Sequence, residues 1–168
     1  MKYLWLLCSG LIFVTRLALA LDVGKPAPNI ESTLLNHQPF TLSQQLGQVV
    51  IINFWATWCG PCRQEMPDLE NFYQQHRAEG LKILAISMDD PADDNKVREV
   101  MQQYSFDAAF SRDVNYKGLG RIWRMPMTYV IDRQGIIRKD GSVGEPKIDF
   151  PTLEALVTPL LKQAAKTP

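Results

Sequence analysis

The run Trp58-Cys59-Gly60-Pro61-Cys62 constrains this chain more than any other stretch. It follows the apolar run Val49-Val50-Ile51-Ile52-Asn53-Phe54-Trp55, which reads as a buried strand, and it precedes Arg63-Gln64-Glu65-Met66, which opens a helix. Two cysteines three apart at a helix start can lie on one face, at a Cα separation of roughly 4.4–6.8 Å that suits a disulfide. Cys59 falls where backbone N–H groups lack intrahelical partners and the helix dipole is positive, a place that stabilises a thiolate. Gly60 removes bulk beside the sulfur, and Pro61 suits the first turn, where its missing N–H costs nothing. Cys62 lies one turn deeper, placed to attack a mixed disulfide formed by Cys59. Cys-x-x-Cys is also found in zinc sites and in inert structural disulfides. Zinc asks for about four ligands with a second pair at recognisable spacing. Here there is no second cysteine pair, and His37 and His76 stand alone. The strand–turn–helix context favours a redox pair over either alternative.

The N-terminus bears on the chemistry of that pair. Lys2 precedes an apolar run from Tyr3 to Val14, and Ala18-Leu19-Ala20 supplies small residues in an A-x-A pattern, so residues 1–20 read as a secretory signal peptide. Arg16 breaks the run short of the about 20 apolar residues of a membrane span, and an uncleaved anchor is the alternative. Cys8 lies in mid-run behind Leu7, a poor setting for lipid attachment. Cleavage after Ala20 would remove Cys8 and leave Cys59 and Cys62 as the only cysteines. Export would place them where disulfides persist. The chain holds 18 basic and 18 acidic residues, and losing Lys2 and Arg16 leaves a mature charge of −2. Without a basic tract to follow phosphates, nucleic acid is excluded as the expected partner.

Residues 21–168 are long enough for one domain with its own core. Glu31–Leu35 and Pro39–Leu42 around Asn36-His37-Gln38 predict a hairpin, followed by a turn or short helix at Ser43–Gly47. Gln48–Trp55 is the central strand, covered on both faces. A helix is expected over Pro61–Glu79, kinked by Pro67 and ended by Gly80. A strand over Leu81–Met88, a helix over Asn95–Tyr104 capped by Asp93 or Asp94, and a short strand over Ala108–Ser111 follow. Val114–Trp123 reads as a short helix or irregular. Met125–Asp132 and Ile136–Lys139 form a hairpin, and Phe150–Lys166 a closing helix. That order predicts an α/β fold, a mixed central sheet with helices on both faces.

Phe54 to Cys62, with Pro67 inside the following helix, resembles thioredoxin-fold proteins. Val23-Gly24-Lys25-Pro26-Ala27-Pro28 resembles the lead-in of the redoxin branch. Arg63, Glu65, Pro67 and Leu69 resemble the R-x-E-x-P-x-L pattern of the TlpA/ResA family of exported thiol–disulfide oxidoreductases, and Pro126–Asp132 its P-T-T-F-L-I-D segment. Asp89–Asp113 sits where that family carries an extra helix and strand.

The resemblance implies a thioredoxin fold with an N-terminal β-hairpin extension and a central helix–strand insert, and no cofactor or metal is expected from the residues. It implies that Pro126 is cis and that the Met125–Pro126 loop holds a substrate chain by backbone hydrogen bonds. It further implies a reductant fed by a membrane thiol reductase of the DsbD/CcdA kind and acting on protein disulfides, apocytochrome c being the common target. Two residues depart from pattern: Asn53 replaces the buried Asp of thioredoxins, and Met127 the Thr after the cis-proline. With Asn53 unable to titrate, Glu65 becomes the candidate proton partner of Cys62, with a pKa raised by an apolar setting. Trp58 should cover the disulfide, while Trp55 packs in the core. A metal-binding chaperone would need a third soft ligand near the pair. A thiol peroxidase of the redoxin branch would need a Pro and Thr ahead of a lone cysteine, which Trp55-Ala56-Thr57-Trp58 does not supply.

Overall fold

The computed structural model describes residues 23–164, so the expected leader and Cys8 lie outside the described residues. Its centre is β3 (Val49–Trp55), in which all seven side chains are buried. β4 (Leu81–Ser87) pairs with it in parallel and β7 (Met127–Ile131) antiparallel. β5 (Asp107–Phe110) and β8 (Ile137–Lys139) extend the sheet to the order β5-β4-β3-β7-β8. The crossovers β3–α1–β4 and β4–α2–β5 use α1 (Gly60–His76) and α2 (Asp94–Met101), and α3 (Phe150–Leu161) closes the chain. Strand–helix–strand followed by an antiparallel hairpin and a helix is the thioredoxin fold.

Alternation along β3 divides the core in two. Val49, Ile51 and Trp55 face a cluster built with Met66, Leu69 and Phe72 of α1, Val97 of α2 and Leu153 and Val157 of α3. Val50, Ile52 and Phe54 face the other way, toward Ile30, Phe40, Leu42, Val114 and Leu119. The two faces are therefore covered differently. All three α-helices serve one face. The helical cover of the other is short 3₁₀ turns at Leu42–Gln45, Ser111–Asp113 and Lys117–Leu119, backed by a second small sheet.

That sheet holds the expected hairpin, β1 (Glu31–Thr33) and β2 (Pro39–Thr41), with His37 in the left-handed region at φ 67°. It also holds β6 (Val114–Asn115), which pairs antiparallel with β1 within a segment read from sequence as helical or irregular. The extension reaches both outer strands of the main sheet. Gly24 and Ala27 N–H donate to Ile137 and Gly135 carbonyls beside β8, and Leu35 N–H donates to Ala108 of β5, each at 2.8 Å.

Helix α1 continues through Pro67 to His76 before a 3₁₀ turn ends at Gly80, whose φ of 91° few other residues adopt. Asp93 occupies the N-cap of α2 without a side-chain cap bond. Asp149 caps α3 by accepting from Thr152 N–H at 3.1 Å. α3 ends at Leu161, and residues 162–164 are not helical, so the helix is shorter than the Phe150–Lys166 expected from sequence.

Candidate active site

The site lies at the C-terminal end of β3, where the chain turns into α1. Cys59 is the N-cap of that helix, with extended φ/ψ of −82° and 99°. Its Sγ accepts from Cys62 N–H at 3.3 Å, one of the donors every helix start leaves unpaired. Cys59 and Cys62 are joined by a disulfide, S–S 2.02 Å, with Cα atoms 5.3 Å apart. Cys59 keeps 6 % of its surface exposed and Cys62 none. Pro61 occupies the first turn. Gly60 is exposed, and a Cβ there would meet nothing within 4 Å. The protein itself thus sets no steric demand at Gly60; the room beside the sulfur is open to solvent.

Beside Cys59 is an open depression of about 290 Å³, bordered also by Trp58, Trp123, Arg124 and Met125. Trp58 and Trp123 are the more exposed, at 63 % and 58 %. Trp58 therefore stands at the rim instead of lying as a closed lid over the sulfurs. Trp55 is fully buried in the core, and its indole N–H has no hydrogen-bond partner. The Met125–Pro126 peptide bond is cis, and Pro126 is buried at the head of β7. Met127 is buried as well, its side chain in the cluster opposite the helices.

Behind the disulfide lies a buried polar group. Glu65, three residues past Cys62 on α1, is fully buried. Its Oε1 accepts from Asn53 Nδ2 at 2.7 Å and its Oε2 from Ile148 N–H at 3.2 Å. Burial pushes the carboxyl up from its ordinary 4.5 to about 7, against the opposing pull of those two hydrogen bonds and of Lys139 and Lys147. Asn53 Nδ2 donates also to Thr128 Oγ1 at 3.0 Å.

Two further residues shape the site. Asp89, read from sequence only as the first residue of the Asp89–Asp113 insert, is buried. Its carboxylate accepts from Thr57 N–H at 3.1 and 3.0 Å, from Thr57 Oγ1 at 2.6 Å and from Ser87 Oγ at 2.9 Å. It thereby fixes the backbone two residues ahead of Cys59. A polar Ser-x-Asp closing an apolar parallel strand was the signal available for it. Arg124 gave no signal of its own, because its partners are backbone carbonyls.

A thioredoxin fold whose first long helix begins with a Cys-x-x-Cys disulfide, the leading cysteine the more open, defines a thiol–disulfide oxidoreductase. This is such an enzyme. Residues 23–140 match the AhpC/TSA family, and the chain belongs to it. Among curated relatives, it is 33 % identical over 138 residues to the thiol-disulfide oxidoreductase ResA of Bacillus thuringiensis, spanning 81 % of this chain and 75 % of that one. It is 33 % identical over 119 residues to the thioredoxin-like protein YneN of Bacillus subtilis, spanning 68 % of each. A crystal structure from Chlorobium tepidum, described provisionally as the thiol:disulfide interchange protein DsbE, is 30 % identical with a TM-score of 0.62, covering 71 % of this chain and 84 % of that one. A second Chlorobium tepidum structure, a thiol:disulfide interchange protein of the thioredoxin family, is 22 % identical with a TM-score of 0.69 and bears out the fold, over 83 % of this chain and 98 % of that one.

Proposed function

We propose that this protein is an exported reductant of protein disulfides, with the haem-attachment cysteines of apocytochrome c as a substrate. The observation that carries the reading is the Cys59–Cys62 pair at the start of α1, open on the Cys59 side and backed by a buried carboxyl on the Cys62 side. The leader at residues 1–20 supports export, and the kinship with ResA supports the reaction class.

In the reduced protein the Cys59 thiolate is favoured by the helix N-terminus and by the Cys62 N–H. It attacks one sulfur of the substrate disulfide, and the other substrate sulfur departs as a thiolate and is protonated. Cys62 then gives its proton to ionised Glu65 and attacks Cys59 Sγ. The second substrate thiolate leaves, and the Cys59–Cys62 disulfide forms. Two electrons have passed from the dithiol to the substrate. A carboxyl with a pKa of about 7 is half ionised at neutral pH, the condition under which one group accepts and returns a proton with least loss. Met125 and Pro126 hold the substrate backbone beside Cys59, and Trp58 limits its approach. A membrane thiol reductase of the DsbD/CcdA kind restores the dithiol, and the enzyme works at the extracytoplasmic face, free or anchored by its leader.

Cys62→Ala tests the reading, because the mixed disulfide then has no resolving thiol. Expressed in the native host and isolated without reductant, the variant should carry apocytochrome c through Cys59. Recovery of only other disulfide-bearing proteins would replace the substrate, and recovery of none would overturn the reductase reading.

A further inference from the structure

Residues 140–149 join β8 to α3 without regular secondary structure, so hydrogen bonds to neighbouring elements set their path. The loop is anchored at both ends to the two parts of the active site. At its start, the Arg124 guanidinium donates to the Gly141 carbonyl through Nε at 3.3 Å and Nη2 at 2.8 Å, and to the Gly144 carbonyl through Nη1 at 3.0 Å. Arg124 immediately precedes Met125 and cis Pro126, and its guanidinium lies 5.0 Å from the centre of the exposed Trp123 ring. At the loop's end, Ile148 N–H donates to Glu65, and Phe150 N–H donates to Asp68 of α1 at 3.2 Å.

The fit between loop and strand is close. A Cβ on Gly141 would stand 2.7 Å from Thr128 N and 2.9 Å from Met127 Cγ, so only glycine brings the loop this near the first residues of β7. Three bonds from one planar fork to two carbonyls are within reach of a guanidinium and not of an ammonium, whose charge is a point on a flexible stem.

We propose that Arg124 is a positioning residue for disulfide exchange: it ties the Met125–Pro126 segment to the 140–149 loop, so that one connected structure holds both the backbone beside Cys59 and the acid behind Cys62. The proposal rests on the reading that those two parts serve the exchange.

The Glu65 carboxyl is faced by Asn53 of β3, by Lys139 of β8, by Lys147 and Ile148 N–H of the loop, and lies one turn from Cys62 on its own helix. Loop displacement would weaken the Ile148 hydrogen bond and shift Lys147, both of which favour the ionised form. Arg124→Lys keeps the charge and removes the fork. It should keep the fold by circular dichroism, carry the Glu65 midpoint upward from about 7 in a carboxyl NMR titration, and lower kcat/KM about tenfold to a hundredfold. The rate is read as single-turnover reduction of an oxidised Cys-x-x-Cys-His peptide, with half-saturation rising more than the limiting rate falls. Arg124→Ala should do the same.

If Arg124→Lys matches wild type in both titration and rate, the proposal is overturned. If Lys preserves both and Ala alone is impaired, Arg124 supplies only charge, and the proposal is again overturned. Should Arg124→Ala fail to fold, Arg124→Lys decides alone. Failure of the functional reading shows elsewhere: Glu65→Gln would then leave exchange unchanged, while the Glu65 titration in Arg124→Lys still reports whether Arg124 holds the loop.

Discussion

Asn53 on β3 and Glu65 on α1 meet inside the protein, the amide Nδ2 donating to the carboxyl Oε1 at 2.7 Å. The pair joins the central strand to the helix that carries both cysteines, and it sets a titrating carboxyl against an amide that cannot titrate. The amide does half of what a carboxylate would. It holds its neighbour by a hydrogen bond but adds no second negative charge, so Glu65 can ionise near neutrality without a like charge beside it.

Stability should therefore depend on pH through Glu65. Its native pKa of about 7 lies above the ordinary 4.5. Below pH 4.5 the carboxyl is neutral in folded and unfolded chains alike. Between the two values the folded chain holds the proton and the unfolded chain releases it, so stability falls as pH rises, by about 3 kcal/mol in total. Glu65→Gln stays neutral throughout. Urea unfolding at pH 4 and pH 8 should show the variant gaining on wild type by that amount. A constant difference between the two proteins would mean that Glu65 titrates as an ordinary surface carboxyl. Resolution of the mixed disulfide by stopped flow should meanwhile slow about 10²-fold near pH 7, because water replaces the lost base.

The two thiols should differ in reactivity. Cys59 retains some exposure and receives the Cys62 N–H, whereas Cys62 is sealed beneath it. Iodoacetamide at pH 6, applied to the reduced protein and quenched early, should label Cys59 nearly alone by peptide mass spectrometry. Preferential labelling of Cys62 would reverse the roles assigned to the two residues.

Asp89 should matter more than its place at the start of the insert suggests. Asp89→Asn keeps the shape but offers a single acceptor oxygen and no charge to Thr57 N–H, Thr57 Oγ1 and Ser87 Oγ. Loss of charge-assisted bonds at a buried site should cost about 2–3 kcal/mol in denaturant unfolding. Thr57→Val, which removes one hydroxyl, should cost about 1 kcal/mol. Equal, negligible losses in both variants would show that the Ala56–Trp58 backbone is fixed by other contacts.

The parts of this molecule that sequence made legible are those whose signals are local. The apolar run of β3, the motif at the start of α1 and the glycine that closes the 3₁₀ turn after it each carry their own periodicity or cap. Pro126 was legible through resemblance, since a lone strand-start proline is seldom cis. β6 was not legible because two residues, Val114 and Asn115, hold no alternation to read, and their partner β1 lies far back in the chain. The one-sided placement of the α-helices also escaped, although two successive right-handed crossovers in one direction along a sheet put α1 and α2 on the same face. Glu65 was singled out, but its burial depends on Ile148 and Asn53, which approach it from distant parts of the sequence. Arg124 acts on backbone, and a backbone partner leaves no trace in the choice of its own side chain.

The N-terminal extension, which reaches β8 with residues 24–27 and β5 with Leu35, has a consequence for the company this enzyme keeps. An unpaired strand edge is a template on which another chain can lay a strand of its own. Partly folded chains with unpaired strands are the partners a protein-disulfide reductase would meet at every encounter. One segment of the same polypeptide occupies groups of Gly135 and Ile137 on one flank and of Ala108 on the other, and Pro26 and Pro28 bring no N–H of their own. If the substrates are such chains, the stretches of edge occupied in this way are closed to strand addition, and contact is left to the cysteine end, where a chain would be reduced and released instead of being added to the fold.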